Sequence, residues 1–188
     1  MNERIGFALT GSFCTFASAF AQMEQLAQMG YRLQPIMSEH AFRTDTRFGR
    51  AADWVRRAEE ICGCSVMHTI EQTEPIGPKK LLDLLIIAPC TGNTLAKLAA
   101  GITDSPVTMA VKAQLRCNRP VVIALATNDA LSANLKNIGL LMSRKNVYFV
   151  PMKQDDPEKK PYSLVCDFDM LKPTMMDAFA GRQIMPIF

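Results

Sequence analysis

The sequence predicts a three-layer, doubly wound α/β fold. Short apolar, β-branched runs alternate with apolar repeats at helical spacing, the pattern of βαβ units on a parallel sheet. One run, residues 84–88, is apolar at every position, as a strand covered by helices on both faces must be. Turn residues such as Gly30 and Gly101 separate the segments. Together these point to a Rossmann-like or flavodoxin-like parallel sheet of about six strands, in one domain spanning residues 1–188.

Residues 5–9 read as the first strand. Phe16, Phe20, Met23 and Ala27 then recur at helical spacing, so a helix over 15–29 follows and stops at Gly30. Residues 33–37 form the second strand. Phe48, Ala52, Val55, Ala58 and Cys62 mark one face of the next helix, and residues 65–68 give a short third strand. After the buried run 84–88 comes a short helix over 94–100. Ser105 and Pro106 supply an N-cap and an N1 proline for a helix to about 115. Residues 121–125 are the fifth strand. Leu131, Leu135, Ile138 and Met142 stripe a helix, and 147–150 give the sixth strand. The charged, proline-bearing stretch 153–161 reads as a surface loop, and 168–180 as a closing helix.

Charge and composition exclude several classes. A net charge of +3 with scattered basic residues is too little for a nucleic-acid face. No run approaches the roughly 20 apolar residues of a membrane span. Residues 5–9 are too short for a signal-peptide core, so the expected location is cytoplasmic. There the six cysteines are expected as free thiols. Cys62 and Cys64 stand at the wrong spacing for zinc, and the two histidines, His40 and His68, do not complete a set, so no metal site is expected.

In open parallel sheets, ligands bind beyond the carboxyl ends of the strands. Four segments fall there, 10–15, 38–40, 89–94 and 126–128, all rich in small or hydroxyl-bearing residues. In the first, Gly11 permits close backbone approach, Ser12 and Thr15 bring hydroxyls, and the helix start favours an anion such as phosphate. In the third, Pro89 stiffens the approach, and Asn93 and Thr94 either hold a phosphate or ring edge or simply cap a helix. Neither loop carries the glycine pattern of a dinucleotide site or of a P-loop.

Residues 88–104, Ala-Pro-Cys-Thr-Gly-Asn-Thr onward, resemble the Pro-Ala-Ser-Ala-Asn-Thr segment and following helix of FMN-binding flavoproteins. These include flavin-containing cysteine decarboxylases and flavin prenyltransferases. Residues 10–12 are similar to that family's first phosphate-side loop, and Ala126, Thr127 and Asn128 stand where it carries a Pro-x-Met-Asn motif. Within the superfamily the chain resembles, nearly end to end, the B subunits of dipicolinate synthases of spore-forming bacteria. Residues 9–15, 37–41, 74–80 and 86–104 carry that likeness.

The resemblance implies a part in oxidising a dihydrodipicolinate-type intermediate to pyridine-2,6-dicarboxylate during sporulation. It implies FMN as cofactor, an A subunit carrying NAD(P) as partner, and assembly into a homo-oligomer. On the cofactor side it marks Gly11, Ser12, Phe13, Ser38, Pro89, Cys90, Thr91, Asn93, Thr94 and Asn128. Two other readings stand beside it: a non-catalytic binding subunit with a vestigial flavin site, and an FMN-dependent decarboxylase. The decarboxylases' His before the Pro-Ala-Ser segment has no counterpart in residues 74–82, which weakens the latter.

Among single residues, His40 at the end of the second strand is a candidate acid/base or carboxylate contact, against the simpler role of a structural hydrogen bond. Cys14 and Cys90 are candidate nucleophiles, weighed against plain buried packing. Arg43, Arg47 and Arg50 could pair with substrate carboxylates, or be a solvated helix start.

Overall fold

A computed structural model describes residues 3–188. The first strand, β1 (Arg4–Leu9), leads through a short helical turn into α1 (Phe16–Gln28), then β2 (Arg32–Met37), α2 (Glu39–Arg43), α3 (Ala51–Cys62) and α4 (Ile70–Thr73). The second half comprises β3 (Leu84–Cys90), α5 (Gly92–Ala99), α6 (Pro106–Arg116), β4 (Val121–Thr127), α7 (Leu135–Met142), β5 (Val147–Phe149), β6 (Met152–Lys153), β7 (Leu164–Cys166) and α8 (Leu171–Phe179). The spatial order is β2-β1-β3-β4, with β5 parallel beside β4. Beyond the end of β5, β7 pairs antiparallel with Ala126 and Thr127 of β4, and β6 pairs with β7. The sheet is thus largely parallel with seven strands, an α/β fold of the expected kind with an antiparallel edge added.

Side-chain alternation builds the two outer layers. Ile5, Phe7 and Leu9 of β1, with Leu84, Ile86 and Ala88 of β3, face the core shared with α1, α3 and α8. Leu85 and Ile87 of β3, with Val121, Ile123 and Leu125 of β4, face the core shared with α5, α6 and α7. All seven residues of β3 are buried, because helices cover both of its faces. Ser105 caps α6 in a reciprocal box with Thr108, and Pro106 opens the helix, as the sequence predicts.

Three expectations need correction. The strand expected over 65–68 shrinks to a single bridge between Ile36 and Met67. Pro35 has no N–H to continue a ladder on that side, and the Gln34 side-chain amide donates to the Ser65 carbonyl instead, at 3.0 Å. The helix expected from Phe48 starts at Ala51. A tight turn bridges Thr46 and Gly49, the Asp45 carboxylate accepts from the Ala51 N–H at 2.8 Å, and Phe48 is left exposed. The all-parallel sheet acquires the antiparallel pair β6 and β7, which are too short to show a strand period.

Candidate functional site

Because β1 passes to β2 on one side and lies against β3 on the other, the loops after β1 and β3 emerge side by side at the reversal of strand order. Thr10 joins them. Its N–H and hydroxyl both donate to the Pro89 carbonyl, at 3.2 and 2.8 Å, and its Oγ1 accepts from the Thr91 N–H at 2.9 Å. Thr10 is 1% exposed, so these bonds are shielded from water.

The first loop is open. Gly11, Ser12 and Phe13 are half-buried and Cys14 is exposed. The Ser12 hydroxyl caps no N–H of the turn that follows it, while Thr15 donates its own hydroxyl back to the Ser12 carbonyl at 2.9 Å. A side chain at position 11 would meet only Phe13 and His40, at 3.5 and 3.9 Å, so His40 stands beside this loop. His40 is exposed in the first turn of α2. Ser38, expected on the cofactor side, accepts from the Ala41 N–H at 3.2 Å and so caps α2.

The second loop is filled from within. The ladder between β3 and β4 shifts between Ile87 and Cys90, so three steps on β3 match two on β4. Past the shift Cys90 packs on the same face as Leu85 and Ile87, where it is 0% exposed and burial pushes its thiol pKa up, as in the packing role weighed for it. Cys14 is the reverse, an exposed thiol where buried packing was expected. Thr91, not Asn93 or Thr94, caps α5: its Oγ1 accepts from the Thr94 N–H at 3.2 Å and its hydroxyl donates to Thr94 Oγ1 at 3.0 Å. Thr94 is buried, while Asn93 is exposed in the first turn of the helix.

A network that sequence reasoning did not find lies under this turn. The Asp129 carboxylate accepts from the Thr127 hydroxyl at 2.6 Å and from the Asn134 amide at 2.9 Å. These bonds, the Thr127 one foremost, hold its pKa below the ordinary aspartate value. A Cβ at Gly92 would lie 2.5 Å from Thr127 Oγ1, 2.6 Å from Asn134 Nδ2 and 2.7 Å from Asp129 Oδ1. The start of α5 therefore already has a carboxylate against it, satisfying the helix dipole's preference for negative charge. Among the described residues, the first turn after β1 carries no acidic side chain of its own. The one sequence signal was Asp129 itself, next to the expected Asn128, which is exposed in the same turn.

The arginines do not converge on these loops. Arg43 pairs with Glu39 at 3.2 Å, Arg50 with Asp53 at 3.1 Å, and Arg47 lies over the Phe48 ring. His68 stacks on Phe42 with ring centroids 3.9 Å apart. In the segment between β6 and β7, Lys160 pairs with Asp155 at 2.9 Å, and that carboxylate raises the lysine's pKa.

A family model described as Flavoprotein matches residues 1–179. The dipicolinate synthase B subunit of Bacillus subtilis (strain 168) is 48% identical over 185 residues, 98% of this chain and 92% of that protein. The chain belongs to the flavoprotein family, in the branch of the dipicolinate synthase B subunits. A crystal structure of the dipicolinate synthase B subunit from Bacillus halodurans superposes with a TM-score of 0.91 at 42% identity, covering 100% of this chain and 97% of that one. An FMN-dependent cysteine decarboxylase, SpaF, shares the fold at a TM-score of 0.68 and 24% identity, over 94% and 97% of the two chains. Within this flavoprotein frame the Thr10 clasp and the Asp129 network build the loop ends.

Replacing Thr10 by Val keeps the shape and strips the clasp from the Thr91 N–H. Denaturant unfolding is expected to show a loss of about 1–3 kcal/mol; an unchanged midpoint would show that the two loops hold without it. Asp129 gives a pH signature. Its folded pKa is depressed, so its contribution is complete above the unfolded value near 3.8 and is lost as pH falls through the lower folded value. Asp129→Asn should therefore narrow its stability gap to the parent chain below about pH 4. A gap constant from pH 7 to pH 3 would contradict this.

Proposed function

We propose that the chain is the B subunit of a dipicolinate synthase and takes part in the oxidation of a dihydrodipicolinate-type intermediate to pyridine-2,6-dicarboxylate during sporulation in the cytoplasm. The observation that carries this is the pair of strand-end loops joined by Thr10, in a chain 48% identical over nearly its whole length to a protein of that kind.

The residues fit a phosphorylated flavin. Ser12 at the helix start has a hydroxyl whose one partner is the Cys14 sulfur, at 3.9 Å, and would turn it to a phosphate, with the half-buried Phe13 offering an aromatic face beside it. Gly11, Ser12 and Phe13 would hold FMN from one side. Ser38, Pro89, Cys90, Thr91, Asn93, Thr94 and Asn128 would shape the other, with Asn93 and Asn128 as its exposed amides. Bound FMN would supply a two-electron acceptor. The substrate ring gives up two electrons and two protons in aromatising, and NAD(P) on the A subunit is the terminal acceptor in this reading. The chain's own share is orientation: His40 stands beside Gly11 to meet a carboxylate or a ring proton, and Lys160 brings positive charge near Cys14. A homo-oligomer completing the site is part of the same reading, with exposed Phe48 and the exposed Met176 of α8 as apolar area.

A second reading, a binding subunit with a vestigial flavin site, draws on one observation: Cys90 is sealed in the core and His40 and Cys14 are exposed, so no buried acid or base faces the loops among these candidates. Dipicolinate formation, assayed with and without the A subunit while nicotinamide cofactor and FMN are varied separately, separates the two. Full activity needing both chains, with flavin absorbance retained on this one, is the expected result. Turnover by the A subunit alone would refute both. Turnover that needs this chain but never flavin would leave the binding role.

The segment between β6 and β7 leads to a further expectation. It is exposed and holds itself by Asp155–Lys160 and by the Gln154 amide on the Pro161 carbonyl, at 2.9 and 2.8 Å, with few apolar anchors. We expect it to act as a flap that orders over bound dicarboxylate or the A subunit. Tryptic cleavage after Lys159, whose next residue is Lys160 rather than a proline, should slow on addition of either. Equal cleavage in free and bound states, with binding confirmed separately, would make it a plain connector.

A further inference from the structure

We propose a second binding site, on the edge of the sheet opposite the strand-end loops, for a small organic anion carrying two negative groups on an apolar or aromatic body. A cavity of about 440 Å³ lies between the end of α5, the outer face of α6 and the turn from α7 into β5. It borders the amino ends of β4 and β5, whereas the flavoprotein loops follow the carboxyl ends of β1 and β3. That volume is within the usual range for small-molecule sites.

The chemistry of its walls is one-sided. Lys112 and Arg116 stand on one wall, Arg144 and Lys145 on the other, and no carboxylate lines it. Among the described residues Lys112, Arg144 and Lys145 make no ion pair, and Arg116 has only Glu74, at 3.9 Å. The nearest acid on the α5 side, Asp104, is already held by Lys97 at 2.8 Å. Three helices end near here, and cations often gather at helix ends to offset the dipole. Each end carries roughly half a negative charge, so about −1.5 in all meets four cations and a positive surplus remains. The floor is apolar, formed by Leu98, Val111 and Leu115. A merely solvated basic patch would not need such a floor, whereas an amphiphilic anion uses both parts.

The rim is also preorganised. Asn118 and Asn146 both adopt left-handed backbone conformations, φ 57° and 65°, and the Asn146 amide donates to Asn118 Oδ1 at 2.8 Å. This bond ties together the two turns that carry the opposing cations. Cations on facing walls call for negative groups at two ends of one ligand. Carboxylates and phosphates both meet that demand.

Calorimetric titration of the purified chain with pyridine-2,6-dicarboxylate, adenosine 3′,5′-bisphosphate and inorganic phosphate tests the proposal without any turnover, so it stands or falls apart from the proposed reaction. At least one organic dianion should bind more tightly than inorganic phosphate and shift backbone amide resonances of residues 98–118 and 144–146. The first probe reports a carboxylate source and the second a phosphate source. Lys112→Ala combined with Arg144→Ala, both exposed, should weaken that binding about tenfold or more with the fold intact by circular dichroism. Lys172→Ala, exposed on α8 and outside the cavity lining, should leave it unchanged. No binding of either organic dianion at millimolar concentration, affinity no better than inorganic phosphate, or indifference to the double variant would each overturn the site.

Discussion

Thr10 directs its N–H and its hydroxyl to the same carbonyl and takes the Thr91 N–H in return. These bonds cross the point at which the strand order reverses, the one place in a doubly wound sheet where two successive loops must part to opposite sides and leave a crevice. Their burial makes them stronger than surface bonds and leaves no water to replace them. The placing of the first loop against the second depends on this clasp, and with it every residue proposed to meet a ligand.

Electrostatics then divides the labour between the loops. Both begin helices, and by helix dipole alone both would attract an anion. At α5 that position is answered internally by Asp129, whose charge is stabilised by Thr127 and Asn134 and whose approach requires glycine at position 92. The loop after β1 has no acidic residue in its first helical turn, and His40 lies beside it. In the function proposed above, this asymmetry would orient a phosphorylated ligand along the crevice, with phosphate toward Ser12 and the rest toward Asn93 and Asn128. At Cys90 one irregular step in β3 sets which covered face of the sheet its thiol packs on.

The two edges of the sheet contrast. The carboxyl edge is built from hydroxyls, amides and backbone, with small side chains that allow close approach. The amino edge gathers four cations above an apolar floor. Helices antiparallel to the strands place their amino ends at the first edge and their carboxyl ends at the second. The first thus attracts negative charge through the backbone, and the second must attract it through side chains.

Much of this was legible in the chain alone. Period-two and period-3.6 patterns are local, so β1, β2, β3, β4 and β5 and the helices that cover them fall close to where the apolar runs put them. Ser105 and Pro106 announced α6 because a cap acts within one turn. The strand-end loops were found because topology alone sends them to one edge, and the flavoprotein likeness lay in contiguous motifs. Tertiary structure decided what depends on distant partners. Residues 65–68 failed as a strand because Pro35, far back along the chain, has no N–H to give. Cys14 and Cys90, alike in the sequence as cysteines near strand ends, part into surface and core because one lies in an open loop and the other at the end of a strand that helices cover on both faces. Asp129 reads as an ordinary turn residue until folding brings it against Gly92, since a carboxylate acquires its meaning from the groups around it, and those come from elsewhere in the chain.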